Sequence, residues 1–198
     1  MSAPRAIPTP AIVEWTKRLE AWPGADAIAD RMQHGADALL SDPVRAAALR
    51  GMWLGHAVHP LLTDLPLGAW TSAAVLDVFG GRQSRPAAQR LVGFGILTAI
   101  PTAVTGLAEF GSSAGQREKR VGAVHALSNN VALTLYTASY LARRCQRHGR
   151  GVFLAMAASV AVGVGGYLGG HLTEARKVGS RHPAYEEAAT APSGEPEI

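Results

Sequence analysis

The chain has 198 residues and a formal charge of +4, from 19 Lys+Arg against 15 Asp+Glu. Charged residues make up 17% of it, against about 25% in an ordinary soluble domain, which argues against both a disordered chain and a soluble globule. The single cysteine, Cys145, excludes an internal disulfide, a cysteine-held iron–sulfur cluster and a cysteine-based zinc site.

The first ten residues, MSAPRAIPTP, are Pro-rich and read as loose, without the apolar core and cleavage site of a secretory signal. Ile12, Trp15, Leu19 and Trp22 fall at helical spacing and predict a helix over 11–22, ended by Pro23-Gly24. A second helix is expected over 26–40, with Ile28, Met32, Ala36 and Leu39 on one face. Ser41-Asp42-Pro43 is a start signal for a third, running to about Trp53. Trp15, Trp22 and Trp53 suit a membrane interface, so residues 1–57 are expected to lie on it as amphipathic helices.

Four apolar segments follow, at 60–79, 91–110, 121–142 and 151–172. Each has the roughly 20 residues that a helix needs to cross a bilayer core of about 30 Å. Short Arg-rich connections separate them, and from Pro60 to Gly170 the only acids are Asp64, Asp77, Glu109 and Glu118. The expected fold is all-α: a four-helix transmembrane bundle over 58–172, with a polar, disordered tail over 173–198. Four crossings put both termini on one side. Basic residues near the two faces are nearly balanced, and the lack of an export signal favours the cytoplasm of a bacterial inner-membrane protein.

The polar residues within these segments are not scattered. His56 and His59 open span one, His125 is near the start of span three, and His171 and Glu109 end spans four and two. The alternating directions bring all five to the membrane face that bears the termini. Thr98, Thr102, Thr105 and Glu109 form one helical stripe; His125, Asn129, Tyr136 and Tyr140 form another. Ser159, Gly163, Gly166 and Gly170 make a small-residue stripe that suits close packing or a flat cofactor. Pro66 removes the backbone donor that would reach the Leu62 carbonyl, so a kink or a polar side chain bound there is expected. Asp64 either satisfies local groups or orients a histidine ligand.

Three motifs carry a resemblance. The stretch WLGHAVHPLLTDLPLGAW holds Gly55, His56, His59, Pro60, Asp64, Pro66, Gly68 and Trp70; next come Val121, Gly122, His125, Ala126 and Asn129; last is GGYLGGH, ending at His171. Over roughly 43–180 the chain resembles the DUF2231 family of bacterial four-span membrane proteins. Ala57 departs from a proline common at that position. The resemblance implies a membrane location and, through relatives associated with Rieske-type iron–sulfur domains, a redox setting. This chain lacks the Cys-x-His pairs of such a domain, so a cluster would belong to a partner.

Three functions are then in view. The first is haem b binding with electron transfer to or from a partner such as a quinone: His59, His125 and His171 as ligands, with Gly166 and Gly170 making room for the ring. The second is a non-haem metal site drawn from His56, His59, His125, His171, Asp64 and Glu109. The third is a non-catalytic anchor or assembly subunit that docks a soluble redox protein, in which the histidines serve the fold. The basic loops read as lipid contacts and not as a nucleic-acid surface, and no phosphate-cradling loop or nucleophile elbow is present.

Overall fold

The computed structural model describes residues 8–113 and 115–185. Among them it is all-helical, with seven α-helices and no strand. Three short helices come first: α1 (Ala11–Ala21), α2 (Asp26–Leu39) and α3 (Pro43–Leu49). Four long ones follow: α4 (His59–Phe79), α5 (Arg85–Gly111), α6 (Gln116–Arg144) and α7 (His148–Gly170). A π-helical turn at His171–Ala175 extends the last.

Local signals account for the boundaries. Asp42 accepts the Arg45 N–H at 2.7 Å and caps α3, with Pro43 at its first position. The helix stops at Leu49, earlier than Trp53, because Gly51 takes φ +72° and its Cα lies against the His56 carbonyl, where a side chain has no room. Within α4 the Leu62 carbonyl that Pro66 leaves free accepts the Thr102 hydroxyl of α5 at 3.1 Å. The polar partner expected at that break is thus the threonine stripe of the neighbouring helix.

The four apolar segments lie within α4 to α7, which form two antiparallel hairpins, α4–α5 and α6–α7. Helix α5 also packs on α6 and α4 on α7, so the four close into a ring. The core holds Trp70, Ala73, Val92, Tyr136, Ala155 and Ala158.

The hairpins are alike. His59 of α4 bonds to the Thr102 carbonyl of α5, and His125 of α6 bonds to the Gly165 carbonyl of α7. The histidines are 66 positions apart, as are Asp77 and Arg143, which form an ion pair. Trp70 and Tyr136 have the same spacing and are stacked, with centroids 4.1 Å apart and planes at 12°. A residue that touches its own counterpart lies on the axis relating the two halves. An approximate twofold axis therefore runs along the bundle, through the aromatic stack and the ion pair.

Two stretches, Arg82–Gly111 and His148–Ala175, are long and apolar enough to cross a membrane by length and composition. Helices α4 and α6 fall short of that measure, so two candidate spans stand where four were expected. The reason is that Thr63, Asp64, Thr71 and Ser72 interrupt the apolar run of α4, and His125, Ser128, Asn129 and Asn130 that of α6. Asp77 and Arg143 are each about 1% exposed at the side chain, whereas Leu61, Val75, Val78, Leu127, Val131 and Leu141 of the same helices face outward.

The N-terminal helices pack against the bundle's terminal end, α1 on α6 and α2 on α5 and α6. Leu19 sits with Val121 and Leu168, and Ala29 with Phe110 and Ala123. Trp22 and Trp53 remain exposed, and Trp15 lies 6.4 Å from Tyr167, ring to ring. Residues 173–185 differ from the expected free tail. Ala57 N–H donates to the Ser180 carbonyl at 2.9 Å and His182 N–H to the Gly55 carbonyl at 3.0 Å, which straps this stretch antiparallel across the start of α4. The rest of the expected tail, 186–198, and the first seven residues lie outside the described residues.

Candidate functional site

The site grows from the terminal ends of the two hairpins. His59 opens α4, and its Nδ1 lies 2.9 Å from the Thr102 carbonyl and 3.4 Å from the Thr105 hydroxyl. Its ring rests on Gly106, where a Cβ would come within 2.8 Å of Cε1. His125 repeats the arrangement one hairpin on. Its Nδ1 lies 2.8 Å from the Gly165 carbonyl, and its ring rests on Gly169, with a Cβ there 3.1 Å from Cε1. A carbonyl oxygen only accepts, so in each ring Nδ1 carries the proton and Nε2 keeps the lone pair. Asn129 Nδ2, seated on Gly165, donates to His125 Nε2 at 3.1 Å.

The other residues singled out from sequence go elsewhere. His171 Nε2 lies 2.8 Å from Glu20 of α1, which also receives the Arg176 guanidinium. Burial alone would raise the Glu20 carboxyl, but hydrogen bonds from Arg176 and His171 prevail and hold it below its ordinary value. His56 is exposed and bonds to the carbonyl of Ala57. Asp64 is exposed in a groove of about 530 Å³ that His56, Glu174 and Arg181 also line. Among the described residues it makes no hydrogen bond to His59 or His125; the backbone carbonyls of Thr102 and Gly165 hold the rings. Glu109 is buried, and its Oε2 accepts the Ser180 N–H at 2.8 Å and the Ser180 hydroxyl at 3.1 Å. Its Oε1 is buried with no partner among the described residues.

Among the described residues no three His, Cys, Asp or Glu side chains converge as a metal-binding group. The expected glycines also change. A Cβ at Gly163, Gly166 or Gly170 would meet nothing within 4 Å, so this stripe faces outward. Gly165 and Gly169, one position away and so about 100° round the helix, are the ones against the rings. Both imidazoles sit directly on helix backbone, and a second groove of about 680 Å³ is lined by Ile12, Trp15, Val160, Gly163, Val164 and Tyr167. Neither groove is lined by His59 or His125.

Sequence reasoning missed a second polar centre, at the opposite end. Arg143 reaches both carboxylate oxygens of Asp77, at 2.8 and 2.5 Å. Ser139 accepts from Arg143 Nε at 3.2 Å and donates to the Gly151 carbonyl at 2.6 Å. His148 stands 3.8 Å from Asp77. A lone acid and an arginine, each near its helix end, were the available signal.

A family model described as "Predicted membrane protein (DUF2231)" matches residues 55–182, and the chain belongs to that family. Its limits coincide with the hydrogen bond between His182 and Gly55 that closes the bundle. No curated protein and no solved structure matches the chain.

Proposed function

We propose that this DUF2231 member crosses the bacterial cytoplasmic membrane four times, with both termini in the cytoplasm. Helix α4 has 21 residues and α6 has 29, and at 1.5 Å per residue the shorter extends about 31 Å. The outward side chains of all four helices support the reading: Leu65, Val78 and Phe79 on α4, Leu97 and Ile100 on α5, Val131 and Leu141 on α6, Phe153 and Val160 on α7. An apolar surface on every side of the bundle suits lipid and not water.

Cysteine labelling tests the crossing number. Four crossings put Cys145 and position 113 on opposite sides; two, by α5 and α7 alone, put them on the same side. With a membrane-impermeant maleimide applied to spheroplasts, Cys145 is expected to label from outside. In a Cys145→Ser background, Ser113→Cys is expected to label only after lysis. Labelling of both positions from the same side refutes the four-span reading.

We further propose that the chain is a non-catalytic anchor or assembly subunit which presents its terminal face to a soluble redox protein of the Rieske type. The observation that carries this is that each of the four terminal histidines gives a ring nitrogen to the chain's own groups: His56 to Ala57, His59 to Thr102, His125 to Gly165 and His171 to Glu20. Helices α1–α3 add a fixed platform around that face, pinned by Arg120–Asp26 and Arg176–Glu20. Deletion of the chain is expected to deplete the membrane fraction of the iron–sulfur signal in electron paramagnetic resonance. Wild type and His171→Gln restore it, and a chain lacking residues 11–49 does not. An unchanged signal on deletion removes the anchor reading.

A further inference from the structure

We infer that the groove between the start of α4 and the strap over 173–185 is a lipid-headgroup site, taking a phospholipid whose headgroup joins a primary ammonium to a phosphate. The inference rests on α4 crossing the membrane, as proposed above, and not on the anchor reading.

The groove has a volume of about 530 Å³, within the roughly 300–1,000 Å³ usual for ligand pockets. Charges of both signs line it: Asp64 from α4, Glu174 from the π-helical turn and Arg181 from the strap. They face one cavity without neutralising one another. Among the described residues Glu174 pairs with Lys177 alone, at 3.9 Å, and Asp64 and Arg181 have no ion-pair partner. Hydrogen bonds at Ser180 and His182, on either side of Arg181, fix the strap's backbone beside the groove. His56 lines it too, and because its Nδ1 donates to the Ala57 carbonyl, its Nε2 keeps a lone pair.

Asp64 lies about 7.5 Å along α4 from His59. With α4 as a span, that is a carboxylate without a protein counter-charge at membrane depth, where an ionisable group is costly and marks a binding partner. An ammonium brings N–H donors for Asp64, Glu174 and His56 Nε2, and the phosphate that follows it meets the Arg181 guanidinium. Leu61 lines the same groove, and both it and Leu65, one turn on, are exposed. Acyl chains can therefore run from the groove onto the lipid-facing side of α4, an edge that a soluble compound would leave uncovered. A glycerol headgroup satisfies Arg181 but not the acids, and a choline headgroup brings a cation with no N–H to donate.

The full chain, purified in detergent and stripped of lipid, is titrated with phosphatidylethanolamine, phosphatidylcholine, phosphatidylglycerol and free O-phosphoethanolamine, and bound molecules are counted by native mass spectrometry. One phosphatidylethanolamine per chain is expected to bind, about 10-fold tighter than the other two lipids, the scale of one hydrogen bond to a charged group. O-phosphoethanolamine, which lacks the acyl chains, should bind far more weakly. Asp64→Asn removes the counter-charge and keeps Arg181, so the preference over phosphatidylglycerol should disappear. Arg181→Gln should weaken phosphatidylethanolamine by about 10-fold, and Asp30→Asn, exposed on α2, should change nothing. The comparison among lipids needs no variant and stands if one fails to fold. Equal binding of the three lipids, O-phosphoethanolamine binding as tightly as the lipid, or a preference that survives both Asp64→Asn and Arg181→Gln overturns the inference. The titrations read the site in micelles and the maleimide labelling reads the crossing, so failure of one is told from failure of the other.

Discussion

The buried pair Asp77–Arg143 joins the two hairpins at the end opposite the histidines, and its removal gives the sharpest stability test. The guanidinium forks onto both carboxylate oxygens, and each side chain is about 1% exposed. Removing one partner strands a charge in a medium that cannot solvate it, at a cost of about 3–5 kcal/mol. Asp77→Leu and Arg143→Met should each show a loss of that size. Removing both partners leaves no stranded charge, so Asp77→Leu with Arg143→Met should recover most of it, since apolar replacement of a buried pair is often neutral or favourable. For a chain of this length about 1 kcal/mol corresponds to roughly 2–4 °C in Tm. The single variants should therefore melt roughly 6–20 °C lower and the double variant near wild type. Thermal unfolding of detergent-purified protein, followed by circular dichroism, completes the double-mutant cycle. Additive losses, with the double variant worse than either single one, would refute the pairing across the axis.

Gly106→Ala brings a Cβ within 2.8 Å of the His59 ring and should cost about 1–3 kcal/mol by overpacking, while Gly163→Ala meets open space and should stay within about 0.5 kcal/mol. Thermal melts compare the two, and equal losses would show that the ring does not sit on Gly106. Hydrogen bonds from Arg120 and Gln116 hold Asp26 at about 2. A depressed carboxylate stabilises the fold above its unfolded value, near 3.9, and loses that contribution as pH falls toward about 2. Glu20 is lowered in the same sense, so its contribution is lost on acidification below the ordinary carboxylate value. Asp26→Asn and Glu20→Gln should each flatten the acid limb of stability against pH, and an unchanged limb in both would mean that these pairs do not hold the N-terminal helices.

Helix positions were legible because periodicity and end signals are local. Ile12, Trp15 and Leu19 mark α1, and Asp42-Pro43 marks the start of α3. The orphan carbonyl at Leu62 was legible too, since Pro66 alone dictates it, and the threonine stripe that satisfies it was visible as a stripe. Helix rotation was harder to read. On α7 the choice between Gly166/Gly170 and Gly165/Gly169 turns on one residue, about 100° of rotation, and a helix apolar on every side offers no polar face to set it. The inward face follows instead from Ala155, Ala158, Gly165 and Leu168, which are buried.

The axis was hidden for a different reason. Its paired residues match in position and not in kind: Trp70 with Tyr136, and Asp77 with Arg143. A search for repeated letters finds little, because positions on a twofold axis meet their own counterparts. An acid that meets its counterpart is stable in a buried site only if that counterpart is a base, since two like charges there would repel. The halves must diverge in chemistry where they touch. The histidines are the exception, alike in both halves: each bonds outward to its own hairpin's carbonyl and so needs no complementary partner across the axis. That retained likeness is what sets the two imidazoles apart from the rest of the axis.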